Sequence, residues 1–250
     1  MKYIKQNWKF LIFMILMCAI GGYFTTIYTL ESFDQKIIEE VIEKAGSKEL
    51  LIIISVIQIA LYSSIFGIIG IILSNKIGLW KKFEKNKNAI KTTIVISIIG
   101  GLALSFLDRY VFGAFIDPVA RSYDAKPTIE YIIASFTYGA VFEEILLRLF
   151  LMTLISWIIS KIFYKKGQIP TKVFIISNII CALLFAAGHI PATIQTFGYV
   201  DGIILFRCFL MNGLFGIGFG YLYRKYSIHY SIISHFGIHL ISKIIWILFI

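Results

Sequence analysis

Seven apolar runs, each approaching or exceeding the roughly 20 helical residues needed to cross a hydrocarbon core, dominate this chain. They extend approximately over Trp8–Leu30, Leu50–Ser74, Thr92–Phe115, Tyr131–Phe163, Lys172–His189 (or on past Pro191), Gly202–Tyr223 and Ser227–Ile250. Hydrocarbon offers no water to backbone N–H and C=O groups, so a spanning chain must form helices or a closed barrel. Barrel strands alternate in polarity over about 10 residues, whereas these runs are unbroken. The expectation is an all-α polytopic membrane helix bundle, a single integral membrane domain over residues 1–250. It has about seven transmembrane helices, eight only if a further segment crosses. The first run follows Lys2 and Lys5 in the manner of a signal peptide, but it is too long and has no small-x-small cleavage site. It reads as an uncleaved first span.

Of the 250 residues, 58% are hydrophobic and 15% charged, where a soluble domain has about half and about a quarter. The net charge of +10 raises nucleic acid as a partner, but the cations lie in short loops between apolar runs. No zinc finger, Gly-rich phosphate loop or base-stacking module accompanies them, so the partner implied is the lipid bilayer and not nucleic acid. Lys76, Lys81, Lys82, Lys85 and Lys87 crowd the second loop, Lys161, Lys165, Lys166 and Lys172 flank the fourth, and Arg224 and Lys225 occupy the sixth. The first loop instead carries Glu31, Asp34, Glu39, Glu40, Glu43 and Glu49, and the fifth has no basic residue. This alternation predicts a cytoplasmic N-terminus and an outside C-terminus. Cys18, Cys181 and Cys208 all fall within spans without metal-like spacing and read as small apolar packing residues.

In the first loop, Ile37, Ile38, Val41, Ile42 and Ala45 recur at helical spacing opposite Glu39, Glu40 and Glu43, and Gly46 follows. A short amphipathic helix is expected, lying on the membrane surface or capping a solvated hairpin.

Of the fourteen acidic residues, only Asp108, Glu143 and Glu144 lie well inside a span. An ionisable group at bilayer depth costs several kcal/mol or so and is seldom idle. Asp108 adjoins Arg109, and a local charge pair is expected there. Glu144 and Arg148 are four apart on one helix face and suit an ion pair. Glu143 is rotated by about 100° from Glu144, free to address a water or a substrate carbonyl. His235 and His239 are likewise four apart, a spacing that can bind zinc or bracket a polarised water. His189 closes Phe185-Ala186-Ala187-Gly188-His189, whose small residues admit close approach of a helix or a substrate backbone. His229, at the start of the last run, reads as interfacial.

These segments resemble the CPBP family, the CAAX-protease and bacteriocin-processing (Abi) membrane proteins. Glu143-Glu144-Ile145-Leu146-Leu147-Arg148 matches its EExxxR motif, Phe185 to His189 its FxxxH motif, and His235 the histidine of its final HxxxN/D motif. The motifs stand in family order, and the resemblance covers about residues 131–250. It implies an intramembrane endopeptidase with Glu143 as general base, assisted by Glu144, which Arg148 anchors. His189 and His235 would orient the water or hold a metal. Zinc and a metal-free Glu–His-activated water are both compatible with it. His239 departs from the pattern, because the family favours Asn or Asp there. A neutral imidazole can donate the same hydrogen bond, and the change also fits drift toward non-proteolytic binding.

Three functions compete at this point. The first is cleavage of a small hydrophobic or membrane-associated peptide. The second is a non-catalytic membrane partner that regulates a sensor kinase or cell-envelope enzyme. The third, a proton-coupled transporter, would use the same ionisable groups as a relay. The Ile- and Lys-rich wording points to an AT-rich bacterial genome and hence to a bacterial cell membrane. There, peptide processing, bacteriocin maturation or self-immunity is expected, and prenylated CAAX substrates are not.

Overall fold

Each apolar run satisfies its own backbone by coiling, and the computed structural model is helical at every one of them. It describes residues 2–164 and 168–250; Lys165 and Lys166 of the fourth basic loop lie outside the described residues. Among the described residues, seven helices are long and apolar enough to cross a membrane. They are α1 (Lys2–Ser32), α3 (Lys48–Lys76), α4 (Lys87–Ala114), α6 (Ile129–Phe163), α7 (Thr171–Phe197), α8 (Gly202–Lys225) and α9 (Ile228–Phe249). Two shorter helices join them, α2 (Gln35–Ala45) and α5 (Asp117–Ser122). The all-α polytopic bundle expected from the sequence is therefore observed.

The amphipathic segment of the first loop is α2. Asp34 caps its start by accepting from the Lys36 N–H at 2.9 Å. Gly46, at φ 95°, ends it with its N–H on the Ile42 carbonyl, a backbone conformation open to glycine and costly to other residues.

Helix α6 is the hub, in contact with α1, α3, α7, α8 and α9. Its neighbours reach it through small residues. Gly21 of α1 lies against the backbone of Tyr138, and Gly70 of α3 against that of Leu149. Large apolar side chains such as Ile53, Ile57 and Leu61 of α3 face outward, whereas Ser105, Thr153, Ser156 and Ser177 are buried between helices. This inside-out distribution suits a lipid surround, where close backbone packing and interhelical hydrogen bonds hold helices together.

One sequence expectation changes. Asp108 does not pair with its neighbour Arg109. It takes a bidentate bond from Arg207 of α8, with Nε on Oδ1 at 2.6 Å and Nη2 on Oδ2 at 2.7 Å. The Tyr123 hydroxyl donates to Oδ2 at 3.1 Å. Successive helical residues point about 100° apart, whereas a guanidinium fork arriving from another helix serves both carboxylate oxygens. The fifth span takes the longer of its two expected courses, on past Pro191. After a bend at His189, helix resumes at Ile190 and runs to Phe197, with Pro191 in its first turn, where a missing N–H costs nothing.

Gly70→Ala should be destabilising, because a Cβ there would stand 2.6 Å from the Leu149 carbonyl oxygen. A loss of about 1–3 kcal/mol is expected from such overpacking, read as a lower Tm in detergent. Gly202→Ala, which meets nothing within 4 Å, should leave Tm unchanged.

Candidate active site

Glu143, Glu144 and Arg148 stand midway along α6, where the helix is unusually wide. Turns with i→i+5 bonding occupy Ser135–Phe142 and Ile145–Met152 on either side of the glutamate pair. Such widened turns recur at functional positions.

Glu144 is fully buried and saturated with partners. Arg148 Nε lies 3.5 Å from its Oε2, His235 Nδ1 is 3.1 Å from its Oε1, and the Ser231 hydroxyl donates to Oε2. Ser231 Oγ is also 2.9 Å from the Phe219 carbonyl, so its single proton serves one acceptor at a time. Arg148, also fully buried, donates from Nη2 to the Gly216 carbonyl at 3.0 Å. Its guanidinium stands over the rings of Phe185 at 5.0 Å and Phe219 at 5.6 Å. The cation is thus held by a carboxylate, a carbonyl and two aromatic faces.

This arrangement sets the chemistry of His235. A carboxylate can only accept, so Nδ1 carries the proton donated to Glu144, and neutral His235 presents a lone pair at Nε2. That nitrogen lies 4.0 Å from Glu143 Oε2. The gap is too long for a direct hydrogen bond and is the kind of separation that a bridging water spans. Glu143 retains 17% side-chain exposure, whereas Glu144 has none. The two adjacent carboxylates therefore face different tasks, one locked into the bundle and one open to a reactant. Phe219 stacks on the His235 ring at 4.4 Å and holds its plane.

His189 Nδ1 is 2.8 Å from the Phe185 carbonyl. By the same reasoning it donates there and leaves Nε2 free. Phe185 links the two histidines, with ring centroids 4.7 Å from His189 and 6.1 Å from His235. His239 stacks on His235 at 5.0 Å. Its Nε2 lies against Gly139, 3.1 Å from where a Cβ would stand. Its Nδ1 is buried with no hydrogen-bond partner among the described residues. The sequence-selected residues thus gather at one place. His229 lies apart, packed between Phe10 and Phe83. Sequence reasoning missed Ser231, Phe219 and the Gly216 carbonyl. Ser231 lies four before His235 and shares its face, a detectable signal; nothing in α8 marks the other two.

The donor set bears on whether zinc could be held here. His189 and His235 each commit Nδ1 to an oxygen and offer Nε2, the usual support for a ligating imidazole. However, a catalytic zinc site needs about three converging protein ligands. Among the described residues, no three His, Cys, Asp or Glu side chains are grouped to hold an ion. The residues as arranged do not fit the metal, and no step is routed through one.

Arg148→Met should destabilise the fold by about 3–5 kcal/mol, because it leaves Glu144 buried and uncompensated. Adding Glu144→Gln to it should recover much of that loss. Thermal unfolding of both variants in one detergent checks this.

Residues 125–241 match the family model described as type II CAAX prenyl endopeptidase Rce1-like. The curated proteins and the solved structures yield no match. The matched segment contains Glu143, Glu144, Arg148, Phe185, His189 and His235, and over it the chain is similar to the CAAX-protease (CPBP) family.

Proposed function

We propose that this protein is an intramembrane endopeptidase that cuts a small hydrophobic or membrane-associated peptide with a water activated by Glu143. The observation that carries this reading is the 4.0 Å opening between Glu143 Oε2 and His235 Nε2, beside a second glutamate that already has all its partners. A water in that opening donates one hydrogen to Glu143 and the other to His235 Nε2. Glu143 removes its proton as the oxygen adds to the scissile carbonyl carbon, and the carbonyl π pair moves onto oxygen. The tetrahedral oxyanion then collapses, the C–N bond breaks, and Glu143 returns the proton to the leaving nitrogen. His189, when protonated at Nε2, supplies a donor for the oxyanion. The substrate must arrive extended, since a helical backbone hides its carbonyls in its own hydrogen bonds. Arg148 and Ser231 act through Glu144 and His235 and are positioning residues.

One feature favours a second reading, a non-catalytic membrane partner. His239 stands where the family has Asn or Asp, and its buried Nδ1 has no hydrogen-bond partner among the described residues.

Comparing membrane and secreted peptides from cells that express wild type or Glu143→Ala at matched protein levels separates the two. The endopeptidase reading expects a peptide or shortened membrane protein that is present with wild type and reduced about 10²–10⁴-fold with the variant, the range of general-base catalysis. Identical profiles, together with a phenotype that survives the substitution, would establish the partner reading instead.

A further inference from the structure

At the lysine-rich end of the bundle, cations outnumber anything that could balance them. This end gathers the start of α1, the α3–α4 loop, the α6–α7 loop and the α8–α9 turn, and Glu84 is the only acidic residue in those stretches. Past Glu144 the next acid in the chain is Asp201, so α7 and the second half of α6 have none to offer their lysines. Two lysines of this end find partners within the protein. Lys81 donates to the carbonyls of Arg224 and Lys225 at 2.7 and 2.8 Å, and Lys225 donates to the Tyr221 hydroxyl at 2.7 Å.

Lys172 is placed differently. It stands in the first turn of α7, and its Nζ lies 5.9 Å from the ring centroid of Tyr164, the residue that follows α6. The start of a helix favours negative charge, yet α7 has no acidic residue in its first turn and no side-chain cap. Beside Lys172 lies a groove of about 520 Å³, within the range of ligand sites, about 300–1,000 Å³. Ile159 and Phe163 of α6 and Val173 and Ile176 of α7 line it, together with Tyr164 and Lys172. Phe163 and Ile176 are exposed. Tyr164 and Lys172 are at the ends of their helices, and Ile159 and Ile176 lie about 6–8 Å further along the axes. The groove is therefore cationic at its water end and apolar toward the membrane interior. Its occupant must be an amphiphile with an anionic head and an alkyl tail.

We propose that this groove binds one anionic phospholipid from the bilayer, with its phosphate on Lys172 and an acyl chain along Ile159, Phe163 and Ile176. A basic pocket between helices holds a lipid at a defined place, which general attraction to an anionic bilayer does not. The lipid bridges the end of α6 to the start of α7, the helices that carry Glu143 and His189. The site stands whether or not Glu143 cuts a peptide.

The test uses the purified full chain in a mild detergent, stripped of native lipid. Binding is read as a saturable rise in Tm, because a ligand of the folded state stabilises it by mass action. Dioleoyl phosphatidylglycerol, dioleoyl phosphatidylcholine and glycerol phosphate are the probes. Phosphatidylglycerol should bind about fivefold more tightly than phosphatidylcholine, the contribution of one lysine beside an anionic headgroup. Lys172→Gln should bring the two lipids to equal affinity, and Lys172→Arg should keep the preference. Lys82→Gln, which removes an exposed lysine of the same end outside the groove, should keep it too. Ile176→Trp fills the groove and should weaken both lipids. Lys172 and Ile176 are both exposed, so each variant without lipid should keep the wild-type Tm, which separates lost binding from misfolding. No saturable rise with phosphatidylglycerol, equal binding of the two lipids, or a preference that survives Lys172→Gln overturns the site. An equal loss in Lys82→Gln also overturns it, by tracing the preference to diffuse surface charge. Glycerol phosphate that binds as tightly as phosphatidylglycerol does the same, since the acyl chain would then contribute nothing.

Discussion

The buried pair of Glu144 and Arg148 is the interaction on which the rest of the site depends. Two opposite charges taken out of water repay their desolvation only when their remaining donors and acceptors are also met. Here Ser231 and His235 of α9 complete the carboxylate, and the Gly216 carbonyl of α8 with the Phe185 and Phe219 rings completes much of the guanidinium's surroundings. One ion pair therefore ties α6 to α7, α8 and α9. The same contacts fix where the Glu144 and His235 side chains point, while Arg148 Nε and Nη1 have no hydrogen-bond partner among the described residues.

That requirement also explains the doubling of the glutamate. A structural ion pair needs one carboxylate, and Glu144 fills that role completely. By accepting from His235 Nδ1 it fixes the imidazole tautomer and turns Nε2 toward Glu143. The second carboxylate, one residue earlier and rotated around the helix, keeps some exposure and no saturating partner. Turns with i→i+5 bonding flank the pair, and the two adjacent carboxylates lie at the two nitrogens of one imidazole, His235. A fully buried acid and a partly exposed one thus come from two consecutive positions.

The seven spans were legible in the sequence because hydropathy is a local property, and a membrane forces it into uninterrupted blocks. Their ends were less so. Lys2 and Lys87 lie inside helices that outrun the apolar run, and α7 continues to Phe197 past a proline. The Glu144–Arg148 pair was legible because both partners lie on one helix. The Asp108–Arg207 bond was not, since it joins residues 99 apart and a nearer arginine offered a simpler partner. Phe219 and Gly216 contribute an aromatic face and a backbone oxygen, properties any helix in the chain possesses, so only packing reveals them. His239 stood out as a departure from the family motif, and the structure shows a stacked imidazole where a hydrogen-bonding amide or acid was expected.

The central claim is that Glu143 reacts while Glu144 holds the bundle together. Its most direct test compares Glu143→Gln with Glu144→Gln in lipid nanodiscs, measuring both Tm and cleavage of a peptide that the wild type cuts. The account predicts that Glu143→Gln keeps the wild-type Tm and loses cleavage by about 10²-fold or more, whereas Glu144→Gln lowers Tm. Cleavage that survives Glu143→Gln, or equal losses of stability in the two variants, would contradict it.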